Sequence, residues 1–186
     1  MVFEESFSVA PMMEWTDRHC RYFHRLLSNS AVLYTEMISA DALIFGPRHN
    51  LLVFNNEELP CVLQLGGNDP KKLALAAQYG QDYGYSKINL NIGCPSNRVQ
   101  SGAFGACLMK DPKLVAECVK TIQNNCQIPI TIKCRIGVDD MHTVQGLDNF
   151  VDEVSEAGVK LFVIHARKAL LNGLSPKQNR EIPPLD

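Results

Sequence analysis

The chain has 186 residues, 46% hydrophobic and 20% charged, which suits one soluble globular domain with a real core. No apolar run approaches the roughly 20 residues that span a bilayer, and a formal net charge of −2 excludes nucleic-acid binding by bulk charge alone. Seven cysteines with no C-x-x-C pair argue against a disulfide framework or a structural metal site, and for the reducing cytoplasm.

The chain opens with Met1 to Ser8, which carries Glu4 and Glu5 and no basic residue, unlike a secretory signal. Residues 7–11 form a short apolar strand, and 17–27 read as a helix. Residues 31–35 are the second strand, followed by a short helix over 39–44. The third strand is 60–65; its helix opens with Asp69 as N-cap and Pro70 at the first helical position. Strand four covers 87–91, and after a loop Asp111-Pro112 starts a helix with the same capping chemistry. Strand five is 129–133, a helix covers about 143–157, and strand six is 161–165. Val/Ile/Leu-rich strands alternating with amphipathic helices signal a parallel sheet covered by helices.

Two topologies compete, an open doubly wound sheet and a closed barrel. No G-x-G-x-x-G follows the first strand, which weakens the first. Gln64, Asn91, Lys133 and His165 each lie at or near the C-terminal end of a different strand, the end where barrels build their active sites. A complete (β/α)8 barrel of the TIM type takes roughly 250 residues. Six strands therefore make residues 1–186 the N-terminal portion of an incomplete barrel.

The stretch with the most chemistry is Asn89-Leu-Asn-Ile-Gly-Cys-Pro-Ser-Asn97, continuing to Gly102, Gly105 and Leu108. Gly93 frees the backbone past the strand and Pro95 fixes the turn after Cys94. A cysteine so held projects from a loop at the barrel mouth, whereas most of the other thiols read as small core hydrophobes. A thiol with an ordinary pKa of about 8.5 is only about 3% ionised at neutral pH, so acting as a proton donor needs no activating base. Acting as a nucleophile does, and the sequence places no histidine beside Cys94. Between Arg167 and Arg180 the chain carries Arg167, Lys168, Lys177 and Arg180 with no acidic residue among them. By charge alone that is as much a solvated loop as a phosphate-binding one. Arg98 and Arg135 are near the mouth but carry no assignment, and His19 and His24 read as helix-surface or core residues.

Ala10-Pro-Met-Met13, the segment from Asn89 to Ser96 with the glycines after it, Thr131-Ile-Lys-Cys-Arg-Ile-Gly137 and His165-Ala-Arg-Lys168 resemble the tRNA-dihydrouridine synthases. The run from Gly173 to Asp186 is similar to their bacterial A-type subfamily. The resemblance implies FMN reduced by NADPH, saturating the C5–C6 bond of a D-loop uridine around position 20 of tRNA. It implies hydride delivery to C6 and a proton to C5 from the motif cysteine, here Cys94. By the same resemblance Pro11, Met12 and Met13 line the flavin ring, Gln64 and His165 contact it, and Lys133 lies near its N1–O2 edge. Asn91 touches the target nucleotide, and Lys177 and Arg180 contact tRNA. No metal and no membrane is implied. The family's last barrel strands, its flavin-phosphate site and a C-terminal helical tRNA-binding domain have no counterpart in these residues. Two other functions stay open: a truncated, non-catalytic chain, and a flavin barrel reducing a free pyrimidine.

Overall fold

The computed structural model describes residues 7–186, so most of the N-terminal stretch compared above with a secretory signal lies outside the described residues. The elements run β1 (Ser8–Val9), α1 (Arg18–Leu27), β2 (Val32–Tyr34), β3 (Ile38–Ser39), α2 (Ala40–Phe45), α3 (Arg48–Leu52), β4 (Cys61–Gly66) and α4 (Pro70–Asp82). They continue with β5 (Lys87–Ile92), α5 (Asn97–Ser101), α6 (Pro112–Gln123), β6 (Ile130–Arg135), α7 (Thr143–Glu156), β7 (Phe162–His165) and α8 (Gln178–Glu181). Helix starts follow the local chemistry read from the sequence. Asp69 accepts from Lys71 N at 2.9 Å and Lys72 N at 3.0 Å, with Pro70 behind it. Asp111 accepts from Leu114 N at 3.1 Å ahead of α6, and Asp17 accepts from Cys20 N at 2.9 Å ahead of α1. Each cap satisfies amides that have no partner inside the helix.

Every strand pairing is parallel, in the order β1-β2-β4-β5-β6-β7, with the two-residue β3 lying beside the end of β4. The result is the first part of a (β/α) barrel, with β1 and β7 at its two edges, as the strand–helix alternation predicts. Parallel neighbours need crossovers, and the helices that make them cover one face of the sheet.

That covered face holds the core. Leu63 and Leu65 of β4, Ile88, Leu90 and Ile92 of β5, and Ile132 and Cys134 of β6 are buried against Leu73, Ala77, Val115, Val119, Ile122 and Phe150 of the helices. Successive side chains on a strand point to opposite faces. The register therefore turns Gln64, Asn89 and Thr131 inward in one row, and Asn91, Lys133 and Val163 in another, with Arg135 beside His165 above them. The strands are thus alternating, apolar outward and polar inward, rather than apolar throughout. Val163 apart, the inner face turns apolar near β2, where Val32, Tyr34 and Val62 cluster. A polar interior at the C-terminal strand ends is what makes a site possible there.

Candidate active site

The site is built upward from the inner rows. Gln64 is 1% exposed and its amide is anchored at both ends. Its Nε2 donates to Asn89 Oδ1 at 2.8 Å, and its Oε1 accepts from Asn91 Nδ2 at 2.9 Å. Asn89 in turn donates to Thr131 Oγ1 at 2.9 Å, and Thr131 to the Ile88 carbonyl at 3.2 Å. From the other side the Gln64 backbone amide donates to Thr35 Oγ1 at 3.0 Å. Buried amides in apolar surroundings are costly unless paired, and these are paired across three strands and the residue just after β2. The network forms a rigid floor.

Asn91 carries that floor to the loop above. While its Nδ2 donates to Gln64, its Oδ1 accepts from Gly93 N at 3.1 Å and Cys94 N at 2.9 Å. This turn fixes where Cys94 emerges. Cys94 is half-buried, and its Sγ lies 3.5 Å from Ser96 Oγ, with no histidine hydrogen-bonded to the thiol among the described residues. The turn's tightness depends on Gly105 rather than Gly93. Gly105 has φ +73°, and a Cβ there would lie 2.6 Å from the Cys94 carbonyl oxygen and 2.4 Å from Val99 Cγ1. The neighbouring Ala106 amide donates to that same carbonyl at 2.9 Å. Gly93 has no left-handed backbone, and a Cβ there would meet nothing closer than 3.4 Å.

Lys133 and His165 stand on the same inner face. Burial, then the Arg135 charge, holds the Lys133 ammonium below its ordinary pKa. No carboxylate pairs with Lys133 among the described residues. Burial first, then the cations Arg135, Lys133, Arg167 and Arg180, push the His165 imidazole down to about 4, so it is neutral at physiological pH. The concentration of positive charge around a neutral imidazole and an unpaired ammonium suits an electron-rich planar ligand.

Pro11, Met12 and Met13 follow β1 into the loop before α1, Pro11 half-buried and the two methionines exposed at 41% and 51%. Thr16 holds this loop, accepting from Met12 N at 2.9 Å, and Glu14 N donates to the Glu36 carboxylate beyond β2. Glu14 itself is left-handed, at φ +66°. The loop thus presents an apolar, solvent-facing surface at the same end of the sheet.

The basic stretch after β7 divides in two. Arg167 Nη1 donates to the Pro183 carbonyl, and Lys168 Nζ donates to the Asp139 carbonyl at 3.0 Å. Lys177 and Arg180, on and before α8, are exposed. Asn179 shapes this segment while fully buried. Its Oδ1 accepts from Leu170 N at 2.8 Å and its Nδ2 donates to the Leu170 carbonyl at 2.9 Å.

Of the residues singled out in the sequence, the structure links Gln64, Asn91 and Cys94 by direct hydrogen bonds and sets Lys133 and His165 in the rows beside them. Lys177 and Arg180 sit outside, on the surface. Arg98 is exposed on α5, whereas Arg135 is 4% exposed and turned inward onto backbone carbonyls. Asn89, Thr131, Arg135 and Asn179 belong to this framework and were not assigned from the sequence. The period-two spacing Thr131, Lys133, Arg135 was the available signal for two of them. Among the described residues no group of acidic, histidine or cysteine side chains is arranged to hold a metal ion. Nor is any helix there long and apolar enough to cross a membrane.

The family model for dihydrouridine synthase (Dus) matches residues 8–186. A protein of Vibrio cholerae serotype O1 named tRNA-dihydrouridine(20/20a) synthase is 58% identical over 180 residues, covering 96% of this chain and 55% of its own length. A protein of the same name from Synechocystis sp. is 58% identical over 178 residues, covering 96% of this chain and 53% of its own. The chain therefore spans about half the length of the curated relatives it matches. Among solved structures, the carboxyl transferase domain of Rhizobium etli pyruvate carboxylase superposes with a TM-score of 0.51 at 16% identity. It covers 87% of this chain and 25% of that one, a likeness of fold alone.

Proposed function

Since the chain belongs to the dihydrouridine synthase family, we propose that it carries the flavin-facing and proton-donating half of an enzyme reducing uridine to dihydrouridine in tRNA. The remaining length of the relatives would supply the last barrel strands and a C-terminal helical domain. The observation that carries the proposal is Cys94, held by Asn91 at the same mouth as Lys133 and His165.

The residues present fit FMN, with NADPH as its reductant. Met12 and Met13 offer an exposed apolar face against which a planar ring can lie. Lys133, an ammonium without a carboxylate partner among the described residues, suits the ring edge that becomes electron-rich on reduction. His165, neutral, can donate or accept one hydrogen bond there. Gln64 is already anchored twice, leaving one amide hydrogen for the ring. The chemistry that FMN would supply at these residues, once bound and reduced, is hydride donation to C6 of the uracil.

The protein then manages one proton. Cys94 Sγ donates it to C5, and the resulting thiolate is reprotonated from water. Asn91, hydrogen-bonded to the Cys94 amide, keeps one side-chain amide hydrogen with which to orient the nucleotide. The target base must leave its stack in the folded tRNA, at a cost on the order of a few kcal/mol. Lys177 and Arg180 offset that cost by gripping phosphates, which makes binding weaken as salt rises. A uridine at position 20 of the D-loop, in a cytoplasmic tRNA, is the expected target, in keeping with the relatives' names.

The half-length match favours a second reading, that the 186-residue chain alone is non-catalytic. One experiment separates them: flavin content and NADPH-dependent dihydrouridine formation, measured for this chain and for the chain extended with the remainder of the Vibrio cholerae relative. Flavin bound and tRNA reduced in the extended form, with free uracil untouched, supports the proposal, and the same activity in the 186-residue chain alone defeats the second reading. A colourless extended protein, or one that reduces free uracil but not tRNA, defeats it.

A further inference from the structure

We infer that Arg135 is a positioning residue that pins the Cys94 turn and the tRNA-facing basic segment to each other, so that RNA grip and proton donation share one frame. The inference rests on the dihydrouridine synthase reading above and extends it to a residue whose guanidinium is committed to backbone carbonyls.

Arg135 ends β6, and its guanidinium reaches three carbonyls from three distant parts of the chain. Nε donates to Gly93 O at 3.2 Å, in the turn that presents Cys94. Nη1 donates to Lys168 O at 3.3 Å, just after β7, and to Asn179 O at 2.9 Å, one residue before Arg180. With 4% exposure and no carboxylate partner among the described residues, this is a cation held almost wholly by backbone. Removing a cation from water without an ion pair is costly. Such an arrangement is better explained by the geometry it imposes than by stability. Burial lowers its pKa to about 10, which still leaves it charged at neutral pH.

Only a guanidinium suits the task. Its planar fork directs several N–H donors at once, whereas an ammonium is a point charge on a flexible stem. Asn179 completes the linkage. It closes the loop 170–179 through its side chain while offering its own carbonyl to Arg135. Lys177 and Arg180 flank it on the solvent side, so phosphates bound there are placed relative to Gly93 and hence to the thiol.

The test uses the extended chain, with kcat and KM for tRNA measured for Arg135→Met, Arg135→Lys and Asn179→Ala. Misplacing a reacting group by about 1 Å costs on the order of a hundredfold in rate. Arg135→Met should therefore lower kcat by about tenfold to a hundredfold and raise KM as well. Asn179→Ala releases only the basic segment, so KM should rise several-fold with kcat nearly intact, and Arg135→Lys should recover only part of both. Unchanged kcat and KM in Arg135→Met, full recovery by lysine, or a loss that vanishes once rates are normalised to the folded, flavin-loaded fraction would overturn the inference. Should Arg135→Met not fold, Arg135→Lys decides: partial loss of both constants supports the pin, and unsubstituted values refute it. If the unsubstituted protein makes no dihydrouridine, the parent reading fails instead. The pin is then read from the rate of Cys94 alkylation by iodoacetamide, mapped by mass spectrometry. A several-fold change in Arg135→Lys supports it, and an identical rate counts against it.

Discussion

The side-chain oxygen of Asn91 accepts the backbone amide of Cys94 at 2.9 Å, while its amide nitrogen donates to Gln64 at 2.9 Å. One residue therefore joins the buried polar floor of the sheet to the turn that carries the thiol. Asn91→Ala strands the amides of Gly93 and Cys94 and the Oε1 of Gln64. Each partly buried group left without a partner costs about 1–3 kcal/mol. The variant should unfold at measurably lower urea concentration and turn over more slowly. Equal urea midpoints would show that the turn holds itself.

Gly105 is the second point of control. Any side chain there must adopt φ +73° and meet the Cys94 carbonyl oxygen at 2.6 Å. Gly105→Ala should destabilise the chain by about 1–3 kcal/mol, from left-handed strain plus the contact. Gly93→Ala, with nothing nearer than 3.4 Å, should cost clearly less. Denaturant midpoints of the two variants check the ranking, and the reverse order would contradict it.

His165 sets a pH dependence. Its folded pKa is pushed down to about 4, against about 6.5 for an ordinary histidine in the unfolded chain. Between those values the unfolded state binds more protons, so this contribution to stability is complete above about pH 6.5 and is lost as pH falls toward 4. Urea midpoints measured from pH 7 to pH 4 should fall more steeply in the parent chain than in His165→Gln. Parallel curves would mean that the imidazole is not held neutral by its surroundings.

Much of this was readable in the residues because it is local. Asp69-Pro70 and Asp111-Pro112 start helices through caps that span three positions, and six of the seven strands, the two-residue β1 included, lie in runs that announce themselves by composition. Gln64, Asn91, Lys133 and His165 fall where strands end, so a barrel predicts their meeting. What was not readable depends on register. Asn89 and Thr131 become partners only once β5 and β6 align, and Arg135 serves carbonyls that lie far away in sequence. The buried role of Asn179 lies inside an irregular loop, where no periodicity marks it. The two-residue β3 is too short to give a pattern at all. Glycine roles were exchanged for the same reason. Gly93 sits beside the cysteine in sequence, but Gly105 sits against it in space.

The most direct measurement is a single-turnover comparison of Cys94→Ala with the parent in the extended chain, following dihydrouridine formation from tRNA after the flavin is reduced with NADPH. If Cys94 is the proton donor, the variant retains bound flavin and its reduction by NADPH, while dihydrouridine forms at least on the order of a hundredfold more slowly. Dihydrouridine appearing at the parent rate would assign the proton to another group and remove Cys94 from the chemistry.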